Sequence, residues 1–101
     1  MPLPKRKPGE AKTDGELFSE LVEAVFKAPE WSEWRQDAGV AIEVNEPACK
    51  LKGLLRIDQG QREWWPYKVD MKRLRLEGVK AIERDFFAGY RKARALAREA
   101  Q

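Results

Sequence analysis

The chain of 101 residues contains no histidine and a single cysteine, Cys49. The lack of histidine excludes Ser-His and Cys-His catalysis, and it excludes a zinc site built on histidine or several cysteines. One cysteine cannot form an intrachain disulfide, which favours a reducing compartment and predicts a cytoplasmic location. For catalysis only carboxylate chemistry is left, and its metal would be a hard ion such as Mg²⁺.

Long apolar runs are also absent. None approaches the roughly 20 residues that span a bilayer, so we expect no membrane partner. The first nine residues are rich in proline and lysine and lack the apolar stretch of a secretory signal. Length and composition therefore predict a flexible basic arm over residues 1–12 and one folded domain over residues 13–101.

Charge is plentiful but segregated along the chain. Residues 10–46 hold ten acids and three bases, a net charge of −7, whereas residues 47–101 hold seven acids and fourteen bases, a net charge of +7. A basic region of this kind favours a polyanionic partner. The acidic region offers an alternative, in which its acids form ion pairs with the bases of the same chain and no polyanion is needed.

The first half of the chain predicts helices. Thr13 and Glu16 have the spacing of a capping box, and an amphipathic pattern follows it as far as Pro29, which stops the helix or starts a new one. Trp31 and Trp34, three residues apart, suit a short second helix that ends before Gly39.

The middle of the chain alternates with a period of two. This pattern predicts three strands, over residues 40–44, 50–57 and 64–71, with a turn at residues 58–61. Pro66 inside the third strand indicates an edge strand or a bulge. Leu74 and Leu76 are candidates for an extension of the sheet.

A long helix is predicted from Val79 to Arg98, with Phe87 on its arginine-bearing face. Gly89 inside it costs about 1 kcal/mol relative to alanine, which indicates close packing at that point. The predicted fold class is α+β, with a three-stranded antiparallel sheet packed against an N-terminal and a long C-terminal helix in the order α-(α)-β-β-β-α.

The basic residues of the predicted sheet and last helix suggest non-enzymatic binding of nucleic acid, without a cofactor. Lysine and arginine neutralise phosphates, and an exposed tryptophan gives a base a surface for stacking. Trp65 is predicted to be core and Trp64 to be the stacking residue. The predicted phosphate contacts are Lys50, Lys52, Arg56, Lys68, Lys72 and Arg75, with Arg84, Arg91 and Arg94 extending the track. The alternative is a solvated basic face, with the last helix neutralised by the acidic first helix.

The predicted order of elements resembles that of double-stranded-RNA-binding domains. Those domains have a lysine-rich start to the last helix that contacts phosphates. Here the corresponding segment, residues 77–80, contains a single lysine, Lys80. The resemblance is therefore one of topology alone.

Three polar residues suggest a second alternative, a Mg²⁺-dependent or degenerate nuclease. Asp58 would end the second strand, and Asp70 and Lys72 the third. The one-residue gap would put Asp70 and Lys72 on one strand face, where the aspartates hold the metal and the lysine activates water. The spacing of residues from Leu51 to Lys72 is similar to that of RecB-type nuclease cores. Arg56, however, occupies the position at which those cores are expected to have a metal-binding aspartate.

The close alternative to nucleic-acid binding is a protein-binding regulator or inhibitor, of the kind that mobile elements encode. The aromatic pairs Trp31/Trp34 and Trp64/Trp65 would then be interface anchors. If Trp31 and Trp34 instead close one end of the core, they are not available to a partner.

Overall fold

The structure is a computed structural model that describes residues 12–37 and 39–99. Except for Lys12, the arm predicted over residues 1–12 lies outside the described residues. The elements are α1 (Asp14–Lys27), α2 (Pro29–Trp34), β1 (Ile42–Asn45), β2 (Lys50–Asp58), β3 (Gln61–Lys68), α3 (Met71–Glu77) and α4 (Val79–Glu99). This arrangement confirms the predicted α+β class.

Helix α1 begins at the predicted capping box. The Thr13 Oγ1 accepts a hydrogen bond from the Glu16 N–H at 3.2 Å, and the Glu16 carboxylate accepts one from the Thr13 N–H at 3.4 Å. The helix ends at Lys27 with Ala28 as its C-cap, and Pro29 is the first residue of α2, a position that needs no N–H donor. The short second helix is thus confirmed.

The three strands form one antiparallel sheet in the order β1-β2-β3, so β3 is an edge strand, as Pro66 indicated. Gly53 on β2 lies opposite Trp65 on β3, and both face α4. Because side chains alternate along a strand, Lys52 and Trp64 point to the opposite side of the sheet. We call this second side the outer face.

The end of β3 differs from the prediction. The strand stops at Lys68, and Asp70 caps α3 by accepting hydrogen bonds from the N–H groups of Lys72 and Arg73 at 3.0 and 3.2 Å. The expected extension of the sheet through Leu74 and Leu76 is therefore wrong. In α3, Leu74 is buried in the core and Leu76 is 85% exposed.

Two glycines allow α4 to lie close to the sheet. A Cβ atom on Gly53 would lie 2.5 Å from the Tyr90 ring, and a Cβ atom on Gly89 would lie 2.7 Å from the Trp65 ring. Trp65 stacks on Tyr90 with 5.8 Å between ring centroids, which confirms Trp65 as core-packed. The fully buried side chains around this contact come from α1, β2, α3 and α4, and the largest are Tyr90, Phe18, Phe86, Leu21, Leu51, Leu74, Ile82 and Val25.

Among the described residues, no helix has both the length and the apolar character that crossing a membrane requires.

Candidate nucleic-acid interface

The outer face of the sheet carries four of the predicted contact residues, Lys50, Lys52, Trp64 and Lys68. Lys50 lies directly opposite Lys68. The next pair, Cys49 and Val69, is hydrogen-bonded through the Val69 N–H, so Lys50 and Lys68 form a non-hydrogen-bonded pair, in which side chains are closest. Neither lysine has an ion-pair partner among the described residues.

Arg56 does not share this face, contrary to the prediction. The register shifts between Leu54 and Arg56, so that Leu54 pairs with Trp64 but Arg56 pairs with Glu63. The extra residue moves Arg56 to the other side of the sheet. There its guanidinium forms an ion pair with Glu63 at 2.7 Å.

Trp64 is less available for stacking than predicted. The Lys52 ammonium lies 4.9 Å from the centroid of its ring and also forms an ion pair with Glu43 at 3.2 Å. Leu54, the cross-strand neighbour of Trp64 on the same face, is only 3% exposed. Trp64 thus covers Leu54, and a cation already lies over its ring.

The two predicted contacts on α3 differ in their surroundings. The Arg75 guanidinium forms an ion pair with Asp14 and donates to the Lys12 carbonyl oxygen at 2.7 Å, which ties α3 to the start of α1. Lys72 is exposed, and no described residue forms an ion pair with it. Only Lys72 of this pair retains an uncompensated charge.

Two arginines of α4 hold α2 in place. Arg94 and Arg91 lie 5.7 and 5.4 Å from the centroid of the Trp34 ring, and Arg94 forms an ion pair with Asp37 at 2.9 Å. The Gly39 N–H donates to the Asp37 carboxylate, and with Arg94 it lowers the pKa of that carboxyl group. Trp34 also packs edge-on against Phe87 at 5.4 Å, so it closes one end of the core.

The most continuous basic feature is a line of exposed side chains on α4, which we call the α4 stripe: Lys80, Arg84, Arg91 and Arg98. Their spacing of four, seven and seven residues places them within about 40° around a helix of 3.6 residues per turn. None has an ion-pair partner among the described residues. Phe87, predicted to share the arginine face, is buried at 3% exposure.

The α4 stripe includes two residues that the sequence prediction left out of the site, Lys80 and Arg98. The 4-7-7 spacing was the available signal, because it returns to one side of a helix every two turns. Arg94 was included, but it lies about 40–80° around the helix from the stripe residues and forms an ion pair with Asp37.

The two basic surfaces lie on opposite sides of the molecule. Gly89 faces the sheet through Trp65, and the stripe residues lie about 140–180° around α4 from Gly89. The outer face of the sheet is directed away from α4. The single continuous track that the sequence suggested is therefore two separate surfaces.

The acidic first helix does not neutralise α4, although the sequence allowed for this. Glu20 pairs with Lys12, and Glu23 pairs with Lys27 at 2.6 Å, which also lowers the pKa of the Glu23 carboxyl group. No ion pair between described residues joins α1 to α4. The pairs that do join the acidic to the basic part of the chain are Glu43–Lys52, Asp14–Arg75 and Asp37–Arg94.

The arrangement expected for a nuclease is wrong. Asp70 caps α3 and Lys72 lies within that helix, so the two do not share a strand face. Asp58 pairs with Gln61 at the turn, whereas Asp70 follows Lys68 at the far end of β3, roughly 23 Å away at the rise of a strand. Within the described ranges, no three acids or cysteines lie close enough together to hold a metal ion.

One buried carboxylate could not be predicted from the sequence pattern. Glu83 is 7% exposed on α4, and its Oε2 has no hydrogen-bond partner. Burying a carboxylate oxygen without a hydrogen bond is costly. Glu83 is thus a point at which the fold is less stable than it could be.

We expect the substitution Glu83→Leu to raise the free energy of unfolding by about 1–2 kcal/mol, because an apolar side chain removes the desolvation penalty. Urea denaturation followed by circular dichroism measures the change. The control is Glu33→Leu, at an exposed acid with no ion pair among the described residues, where we expect a change within about 0.5 kcal/mol. A loss of stability in Glu83→Leu would contradict the prediction.

Comparison with protein-family models, with curated proteins and with solved structures found no match to this chain.

Proposed function

We propose that this protein binds nucleic acid non-enzymatically through the α4 stripe, which contacts the phosphate backbone. The observation that carries the proposal is that Lys80, Arg84, Arg91 and Arg98 form one exposed line in which no side chain forms an ion pair with a described acid, although Arg98 lies close enough to Asp37 to help lower the pKa of its carboxyl group. Lysine and arginine side chains bind phosphate by releasing condensed counterions.

The uncompensated charge of the stripe supports a polyanionic partner. Lys80 and Arg84 are four residues apart on one helix face, a spacing at which like charges destabilise a helix. Several other arginines of helices and strands are paired, as in Arg73–Glu77 and Arg56–Glu63, whereas Arg62 on β3 has no ion pair among the described residues. A phosphate backbone would relieve the repulsion along the stripe.

The length of the stripe also suits a backbone. From Lys80 to Arg98 it extends about 27 Å, at 1.5 Å per residue. This length equals the rise of about eight nucleotides along one strand, at 3.4 Å each. The side chains are directed away from the sheet, and a strand or duplex along the helix would pass α2 at Arg91, whose guanidinium lies over the Trp34 ring.

The test is fluorescence anisotropy with labelled 30-nucleotide single strands and 30-base-pair duplexes of DNA and RNA, at 50–200 mM salt. Four phosphate contacts predict a slope of log affinity against log salt near −3.6 on duplex DNA, which is a loss of about 100-fold over this range. The double substitution Lys80→Ala/Arg84→Ala should lower the slope by about 2 and weaken binding at least about tenfold.

The matched control removes two exposed bases elsewhere that have no ion pair among the described residues, in the double substitution Arg35→Ala/Arg62→Ala. It changes the net charge equally and should leave the slope within about 0.5 of the unmodified protein's. If no probe binds at 50 mM salt, or if both double variants weaken binding equally, the proposal is overturned. The first of these results would favour a protein partner instead.

A further inference from the structure

We infer that the outer face of the sheet is a second phosphate-binding surface, and that the protein bridges two nucleic-acid duplexes. The inference rests on the proposed function, because the α4 stripe holds the first duplex. The feature that carries it is the cross-strand pair of Lys50 and Lys68 on the side of the sheet directed away from α4.

The pairing of Lys50 with Lys68 is unfavourable unless an anion binds there. Like charges directly opposite one another on neighbouring strands destabilise a sheet. This pair is non-hydrogen-bonded, so its Cα atoms are about 4.5 Å apart, the closer of the two antiparallel spacings. Asn45, which pairs with Lys50 on β1, is also at this end of the sheet and adds an amide donor.

A groove next to this pair provides room for a backbone. It has a volume of about 500 Å³ and is lined by Lys50, Lys52, Asn45 and Pro66, among others. Glu43 and Glu46 also line it, and Glu43 is paired with Lys52. Among the described residues, Lys50 is thus the base in this lining without an ion pair and Glu46 is the acid without one, while Lys68 lies opposite Lys50 but is not part of the lining.

One duplex cannot reach both surfaces. A helix layer packed on a sheet is about 10 Å thick between centres, and the helix radius and the lysine side chains bring the separation to roughly 20 Å. Duplex DNA has a persistence length of about 150 base pairs, so it does not wrap around a body of this size without a large bending energy. A duplex on the α4 stripe leaves the outer face free for another.

Bridging is tested with a biotinylated 30-base-pair duplex that is immobilised on beads. The beads are loaded with the full-length protein at 50 mM salt and washed, and a fluorescent duplex of the same sequence is then added. The unmodified protein should capture the fluorescent duplex. The double substitution Lys50→Glu/Lys68→Glu should be retained on the beads as well as the unmodified protein but should capture at least about tenfold less fluorescent duplex.

The control Arg35→Glu/Arg62→Glu makes the same change in net charge at two exposed positions and should still capture the second duplex. Circular dichroism checks that each variant is folded. If unmodified protein binds the beads but captures nothing, or if Lys50→Glu/Lys68→Glu captures as much as the control, bridging through the outer face is overturned and the proposed function stands. If the unmodified protein does not bind the beads at all, the proposed function itself fails.

Discussion

Replacing Gly53 by alanine should lower the free energy of unfolding by about 3 kcal/mol. A Cβ atom at this position would lie 2.5–2.8 Å from three atoms of the Tyr90 ring. The ring cannot move away, because it is fully buried and its hydroxyl is hydrogen-bonded to the Leu54 carbonyl oxygen at 2.7 Å. Overpacking of a fixed core contact typically costs 1–3 kcal/mol, and Tyr90 is held at both ends. Urea denaturation measures the change.

The same substitution at two other glycines provides the comparison. Gly89→Ala would gain about 1 kcal/mol of helix propensity but would put a Cβ atom 2.7 Å from the Trp65 ring, so we expect a net loss of about 1–2 kcal/mol. Gly15→Ala, in α1 with no atom within 4 Å of its Cβ position, should be neutral or stabilising. Equal effects at all three glycines would refute close packing between α4 and the sheet.

Removing the Tyr90 side chain, in Tyr90→Ala, should cost about 3–5 kcal/mol and leave little folded protein. The ring fills the space between Gly53, Trp65 and Phe86, and its loss leaves a cavity. Tyr90→Phe tests the contribution of the hydroxyl alone, because it removes the hydroxyl and keeps the ring. It should cost about 1–3 kcal/mol, because the Leu54 carbonyl oxygen loses its Tyr90 donor in a buried position.

Tyr67→Phe is the control for the hydroxyl of Tyr90. Tyr67 donates to the Asp85 carboxylate at 2.7 Å at the surface, where water can replace the hydroxyl. We expect a cost below about 1 kcal/mol. Thermal and urea unfolding of both phenylalanine variants checks the difference. If Tyr67→Phe costs as much as Tyr90→Phe, burial of the Tyr90 hydrogen bond is not what stabilises the fold.

Local sequence signals predicted most of the fold. The capping box at Thr13, the proline that begins α2, the alternation of β2 and the period of α4 all act within a few residues. The segment after Lys68 was mispredicted because its alternation suits a strand as well as a short helix. The hydrogen bonds of Asp70 to Lys72 and Arg73 decide between the two.

The candidate site was less predictable, because charge compensation depends on tertiary contacts. The sequence could not show that Arg75 meets Asp14 or that Arg94 meets Asp37, residues about sixty positions apart. Nor could it show the register shift that moves Arg56 away from the outer face. That the α4 stripe, Lys50, Lys68 and Lys72 are among the bases without an ion pair in the described part of the chain is visible only after these pairs are assigned.

The position of Pro66 on β3 has a consequence for the protein at high concentration. Pro66 lies opposite Lys52 in a non-hydrogen-bonded pair, so its ring nitrogen is directed to the free edge of the sheet. A second chain cannot extend the sheet regularly at this edge, because Pro66 has no N–H to donate and its ring occupies space that the added strand would need. Pro66 therefore protects the longest open edge of the sheet against aggregation by strand pairing. The outer face of the sheet and the α4 stripe stay accessible to other molecules.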